Sequence, residues 1–181
     1  MLAAYAWRWE VFLQPVPAGG GTYADWILAG LRTTALLSLS SWLIALAVGT
    51  AMGVLRTVPS RLLRALAAAY VELFRNVPLL VQLFLWYFVV PELVPVGLGT
   101  WFKQLDPLLQ QFLAAMLCLA FFTGARVCEQ VRAGIESLAR GQRAAALALG
   151  LTLPQAYRHV LLPMAFRIVV PPLTSEILNL F

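Results

Sequence analysis

Charge is scarce in this chain. Only 12% of its 181 residues are Asp, Glu, Lys or Arg, against about 25% in an average soluble domain, while 61% are hydrophobic. That balance excludes an ordinary soluble fold and points to a membrane protein. Cysteine is nearly absent: Cys118 and Cys128 stand alone. On one helix their ten-residue separation spans roughly 15 Å, beyond the ~7 Å reach of a disulfide, so they read as packing residues. The single histidine, His159, leaves no Cys/His zinc pattern. No Ser/His/Asp set, metal-ligand cluster or paired catalytic carboxylates appears, which argues against an embedded enzyme. The run Gly19-Gly20-Gly21 lacks a following Gly-Lys-Ser/Thr, so it reads as a linker rather than a phosphate loop. The net charge of +5 does not form a nucleic-acid patch, because the cations fall between apolar runs. At the N-terminus no basic region precedes a clean apolar core. The segment is a poor signal peptide and reads as interfacial, with Trp7, Trp9 and Phe12 in the headgroups.

What is present is a set of long apolar runs. Thr33 to Leu55 and Pro107 to Ala125 carry no charge, and each exceeds the ~18 residues that mark a transmembrane helix. Ala65 to Val90 reads as one further span, interrupted only by Glu72 and Arg75 as an i,i+3 ion pair. A fourth run starts near Pro163 and reaches Phe181, with Arg167 near one end, Glu176 inside and Pro171-Pro172 in the middle. The tandem proline predicts a broken helix there.

The cations give an orientation. Arg56, Arg61 and Arg64 follow the first span, and Arg126, Arg132, Arg140, Arg143 and Arg158 follow the third; the opposite side holds Arg8, Arg32 and Lys103. The positive-inside bias places the first group in the cytoplasm and the N-terminus outside, with Trp26, Trp86 and Trp101 near the outer boundary. In the first span Ser41, Ala45, Gly49 and Gly53 line one face at four-residue spacing. Such a small-residue stripe suits close helix packing, inside this subunit or against another.

The long connection after the third span carries local signals. Ser137 to Leu149 is an alanine-rich helix (Ala139, Ala144, Ala145, Ala146, Ala148), Gly150 supplies a left-handed stop, and Thr152 with Gln155 has capping-box spacing. The result is helix, turn, helix, suited to docking into a groove on a cytoplasmic partner. A DNA-binding helix-turn-helix is excluded by the spans that flank it closely.

From Ala144 the order is Ala144-Ala145-Ala146, three residues, Gly150, nine residues, then Val160-Leu161-Leu162-Pro163. This spacing resembles the cytoplasmic EAA loop of ABC importer permeases. It departs at the first position, where Ala144 stands for Glu, and at Val160, which stands for Ile. The segments VLRTVP (54–59), YVELFRNVPLLVQLFLWYFVVPEL (70–93), FFTGARVCEQVR (121–132), CEQVRAGIESLARGQ (128–142) and LLPMAFRIVVPPLTSEILNL (161–180) are similar to the polar amino acid permeases, and within them to the larger permease subunit of glutamate/aspartate importers.

The resemblance implies an all-α integral membrane bundle of the type I ABC importer permease kind, with about three complete spans and part of a fourth in this chain. It implies an interfacial segment over 1–21, a permease domain over 22–181, and a coupling loop over about 126–162. The implied partners are an ABC ATPase dimer that binds ATP and magnesium, a second permease, a periplasmic binding protein, an amino acid and the lipid bilayer. No cofactor is expected on this chain, and the implied location is a bacterial inner membrane with the N-terminus periplasmic. Permeases of this kind continue beyond Phe181, so a truncated chain is expected. That leaves a rival reading, a scaffold or inhibitory fragment that binds the ATPase without transporting.

Ionisable groups within spans are candidates for the substrate path. Glu72 and Arg75 read either as path residues or as a structural pair beside Pro78. Glu176 follows the double proline, with Thr174, Ser175 and Asn179 adding donors and acceptors, and reads either as an ammonium partner or as packing. Arg126 stands where related permeases often carry an aromatic residue; it can serve a substrate carboxylate or anchor the span end. Ala144, Ala145, Ala146, Gly150, Val160, Leu162 and Pro163 are the expected ATPase-coupling residues.

Overall fold

The computed structural model describes residues 8–17, 19–138 and 140–181. Trp7 and Ala139, read above as interfacial and helical, lie outside these. Two compact units divide the chain at Leu36/Leu37.

In the first unit a 3-10 turn, Trp9–Leu13, leads into a bend closed by an isolated bridge between Pro15 and Thr22. Val16 N–H donates to Gly21 O at 3.0 Å, and Gly19, Gly20 and Gly21 all have positive φ. The three glycines form a tight turn, since a chain reversing this sharply needs left-handed residues. Thr22 then caps the helix α1 (Tyr23–Leu55): its N–H and hydroxyl both donate to Asp25 Oδ2 at 2.8 Å, and Asp25 N–H donates back to Thr22 Oγ1 at 3.3 Å.

The second unit begins in α1 at Leu37 and continues through α2 (Arg61–Asn76), α3 (Leu79–Phe84), a π turn (Leu85–Val89), α4 (Val90–Leu93) and α5 (Val96–Gln104). There follow α6 (Pro107–Glu136), α7 (Arg140–Ala148), α8 (Leu153–Ala156), a second π turn (Tyr157–Leu161) and α9 (Leu162–Leu178). Three stretches are long and apolar enough to cross a membrane: Tyr23–Leu55, Pro107–Glu136 and Leu153–Leu178.

The span expected over Ala65 to Val90 is broken. Arg61–Asn76 and Leu79–Leu93 meet at 105°. Pro78 forces Val77 out of the helical region, to φ −90° and ψ 128°. The break leaves carbonyls without helical donors, and buried Gln82 supplies them: its Nε2 donates to Phe74 O at 2.9 Å and Val77 O at 2.8 Å. The expected Glu72–Arg75 pair is also corrected, since no ion pair among the described residues joins them. Trp86 stacks on Phe121 of the long apolar helix Pro107–Glu136, with centroids 5.2 Å apart.

Proline acts differently elsewhere. Each π turn sits just before a proline, Pro91 or Pro163, and contains the residue four positions upstream of it, Tyr87 or His159. Widening the helix there accommodates the ring that would strike that carbonyl. Pro171 and Pro172 lie inside α9 without a break, contrary to the expectation. Both rings are exposed, while Ala165, Val169 and Leu173 form a buried stripe that keeps the helix seated against α6.

The small-residue face of α1 packs inside this chain. Ser41 donates to Met116 O at 3.1 Å, and Gly49 and Gly53 lie against Gly124, Val127, Cys128 and Val131 of α6. Gly134 does the same for α9, leaving room for Val169. Cys118 and Cys128 are free and buried. α6 starts cleanly: Asp106 Oδ1 accepts from Leu108 N–H at 2.9 Å and Pro107 occupies the first turn.

Candidate functional site

α6 presents Phe122, Arg126, Glu129 and Gln130 at helical spacing on one face. The stripe that seats α9, Ala165, Val169 and Leu173, continues one turn on to Glu176. Close approach at Gly134 thus decides that Glu176 meets Arg126: Nη1 lies 3.4 Å from Oε2, and Gln130 Nε2 donates to Oε1 at 3.1 Å. The Arg126 guanidinium also sits 5.0 Å over the Phe122 ring. These residues, with Arg75 and Glu129, line a polar cavity of about 400 Å³.

The charges around it are unequally engaged. Glu129 is held by Arg56 and by Arg132, whose Nε and Nη2 lie 3.0 and 2.9 Å from Oε2; Arg132 also reaches Glu136 at 2.8 Å. The Arg126–Glu176 contact is longer than the ~2.7–2.9 Å of a tight charge-assisted bond. Its arginine is 44% exposed and its glutamate 15%, so the pair is accessible and loosely closed. Gln130 Oε1 is buried and has no hydrogen-bond partner among the described residues.

Of the residues singled out in the sequence, Arg75, Arg126 and Glu176 come together here. Glu72 lines an adjoining cavity. Thr174, Ser175 and Asn179 do not reach either: Thr174 donates to Val170 O at 3.0 Å, Ser175 O accepts from Asn179 N–H at 3.1 Å, and all three are exposed. Glu129, Gln130 and Gln82 were not anticipated. The spacing of Glu129 and Gln130 from Arg126 was a usable signal, since residues three and four apart share a helix face.

A second region lies around α7 and α8. Gly150, at φ +83°, ends α7 with Gly150 N–H donating to Leu147 O at 3.0 Å and Leu151 N–H to Ala146 O at 3.2 Å, the paired bonds of a Schellman stop. Gln155 Oε1 accepts from the Thr152 N–H and hydroxyl, each at 2.8 Å. Ala144 and Ala145 are exposed, Ala146 is buried, Val160 and Leu162 are half-buried, and Pro163 is exposed. The Tyr157 hydroxyl hydrogen-bonds Thr57 at 3.1 Å, tying the end of this region to the chain after α1. No group of His, Cys, Asp or Glu that could hold a metal occurs among the described residues.

Apolar spans, a broken span, a polar cavity within the helices and an exposed helix-turn-helix together define a membrane permease. The chain belongs to the family of binding-protein-dependent transport system inner membrane components, whose model matches residues 30–181.

Among individual relatives, it is similar to the glutamate/aspartate import permease protein GltJ of Escherichia coli (strain K12), at 61% identity over 175 residues, covering 96% of this chain and 71% of that protein. It is 33% identical over 178 residues to the glutamate/aspartate import permease protein GltK of Escherichia coli O6:H1, covering 98% and 74%. Among solved structures, one described as an amino acid ABC transporter with histidines matches with a TM-score of 0.67 and 31% identity, over 87% of this chain and 69% of that one.

Proposed function

We propose that the chain is the membrane-spanning permease subunit of an ATP-driven importer for acidic amino acids, glutamate and aspartate. The observation that carries this is the cavity that sets Arg75 and Arg126 beside Glu176. An acidic amino acid carries two carboxylates and one ammonium. Two guanidiniums serve the carboxylates, and Glu176 serves the ammonium. The similarity to GltJ and GltK supports the same substrates. The scaffold reading has no use for such a cavity.

Its partners in this reading are an ABC ATPase dimer, a second permease and a periplasmic binding protein. ATP hydrolysis belongs to the ATPase, and the permease contributes no catalytic residue or cofactor. The N-terminus and residues 1–21 face the periplasm, residues 22–181 form the permease domain, and the ATPase docks on the loop spanning about 126–162. There Ala144, Ala145, Ala146 and Gly150 shape the docking helix, while Val160, Leu162 and Pro163 carry its motion into α9. The alternation of access follows from rigid-body movement driven through that loop.

The test is a charge series in the assembled transporter with its binding protein. Arg126→Gln removes charge and fork, and Arg126→Lys keeps charge alone. Losing one charge-assisted contact to a desolvated carboxylate costs about 2 kcal/mol, roughly thirty-fold in glutamate transport. Lysine should fall between, with basal ATPase activity preserved in both. Parental import by Arg126→Gln would refute the assignment.

A further inference from the structure

The cavity described above has a neighbour. A second polar cavity, of about 280 Å³, lies where α2 and α6 meet the chain that follows α1, lined by Arg56, Ala68, Glu72, Arg75, Asn76 and Glu129 among others. Arg75 and Glu129 line both cavities, which therefore adjoin at these two residues. Each cavity presents two guanidiniums and two carboxylates: Arg126 and Arg75 with Glu176 and Glu129 in the first, Arg75 and Arg56 with Glu129 and Glu72 in the second.

We propose that the second cavity is a further amino acid site, an exit chamber, and that Arg75 and Glu129 are a shared wall across which the substrate is handed. The proposal rests on the amino acid route through the first cavity. A zwitterion bound in the first cavity has its carboxylate on Arg126 or Arg75 and its ammonium on Glu176. Stepping across the wall, the carboxylate passes to Arg75 and then Arg56, and the ammonium to Glu129 and then Glu72. At no point does either charge lose an opposite partner, which removes the desolvation barrier that a bare step between helices would raise. The observed pairing suits the closed wall. Glu129 is engaged by Arg56 and Arg132, while Arg75 and Glu72 have no ion pair among the described residues and remain available to ligand. Arg56 stands beyond the end of α1 that the positive-inside bias places at the cytoplasmic face, whereas Arg126 and Glu176 lie inside α6 and α9, so in this proposal the second cavity is the later one in import.

The ligand class is an α-amino acid zwitterion. In the second cavity Arg56 is already engaged by Glu129, which leaves Arg75 and Glu72 for a ligand, one cation and one anion that match the α-carboxylate and α-ammonium common to all amino acids.

The test uses the assembled transporter in proteoliposomes, with a cysteine placed in each cavity: Phe122→Cys for the first and Ala68→Cys for the second. The native Cys118 and Cys128 are buried and stay silent toward a small anionic methanethiosulfonate. Both introduced thiols should be modified, and saturating glutamate should slow both. If Phe122→Cys is protected and Ala68→Cys is either unreactive or unprotected, the exit chamber is overturned and the first site stands. If neither is protected, the route through the first cavity falls and the chamber with it. Asn76→Cys serves as reporter should Ala68→Cys fail to assemble. Independently, the isosteric Glu72→Gln should reduce glutamate import about tenfold, the loss of one charged hydrogen bond, without moving the glutamate concentration that half-protects Phe122→Cys. Import at the parental rate in Glu72→Gln would overturn the proposal.

Discussion

Gly49→Ala probes the contact that brings α1 onto α6. A Cβ at position 49 would lie 2.6 Å from Gly124 O and 2.6 Å from Val127 Cβ. Ordinary carbon contacts need about 3.5–4.0 Å, so the helices must separate by about 1 Å. Neither neighbour can yield alone, since one is backbone and the other a β-branched side chain fixed in a helix. Separation also stretches the Ser41 bond to Met116 O, now 3.1 Å, and loosens Gly53 from Val131. Overpacking of this kind costs about 1–3 kcal/mol. Gly30, on the same helix, has no heavy atom within 4 Å of a Cβ added there, so Gly30→Ala keeps only the gain of alanine over glycine, about 1 kcal/mol. The difference between the two variants is therefore the clash itself. Cys118 and Cys128 provide the readout: buried in the fold, they react with a thiol-sensitive fluorophore only on unfolding. In a thermal ramp on the purified complex, Gly49→Ala should melt several degrees below the parent and Gly30→Ala at or above it. Equal melting of the two would refute the close packing of α1 on α6.

Gly150→Val forces a β-branched residue to φ +83° where no side chain blocks it, so the penalty is backbone strain of about 1–2 kcal/mol in the Schellman turn. Insertion should be normal and substrate-stimulated ATPase should no longer drive import; coupled transport at the parental rate would show that the turn does not set the docking angle. Gln82→Leu removes both donors from Phe74 O and Val77 O, leaving two carbonyls of half-buried residues at the 105° bend without that partner. It should destabilise by about 1–3 kcal/mol per carbonyl not reached by water, seen as a lowered melting point in the same ramp. Single cysteines at Arg61 and Lys103 should label from opposite sides of the membrane, Lys103 from the periplasm; labelling of both from one side would overturn the orientation.

Local sequence determined the elements whose causes are local. Charge-free runs located α1 and α6, because the cost of charge in hydrocarbon acts within the segment itself. Gly150, Thr152 and Gln155 announced the turn between α7 and α8, because capping and left-handed φ involve neighbours a few residues apart. Arg75, Arg126 and Glu176 stood out as charges in apolar surroundings, but nothing in their spacing said that they share a cavity.

What tertiary structure alone decided was the effect of each proline and the partner of each charge. Pro78 broke a span read as continuous, whereas Pro171-Pro172 left α9 intact, and the outcome turned on distant groups: Gln82 closing the break in one case, the Ala165, Val169 and Leu173 stripe seated on α6 in the other. The expected local pair of Glu72 and Arg75 is absent, while Glu176 meets Arg126 across fifty residues and Glu129 gathers Arg56 from the chain after α1 as well as Arg132 one turn along its own helix. Side-chain electrostatics depends on which faces packing brings together, and in this bundle small residues, Gly49, Gly53 and Gly134, choose those faces by permitting close approach.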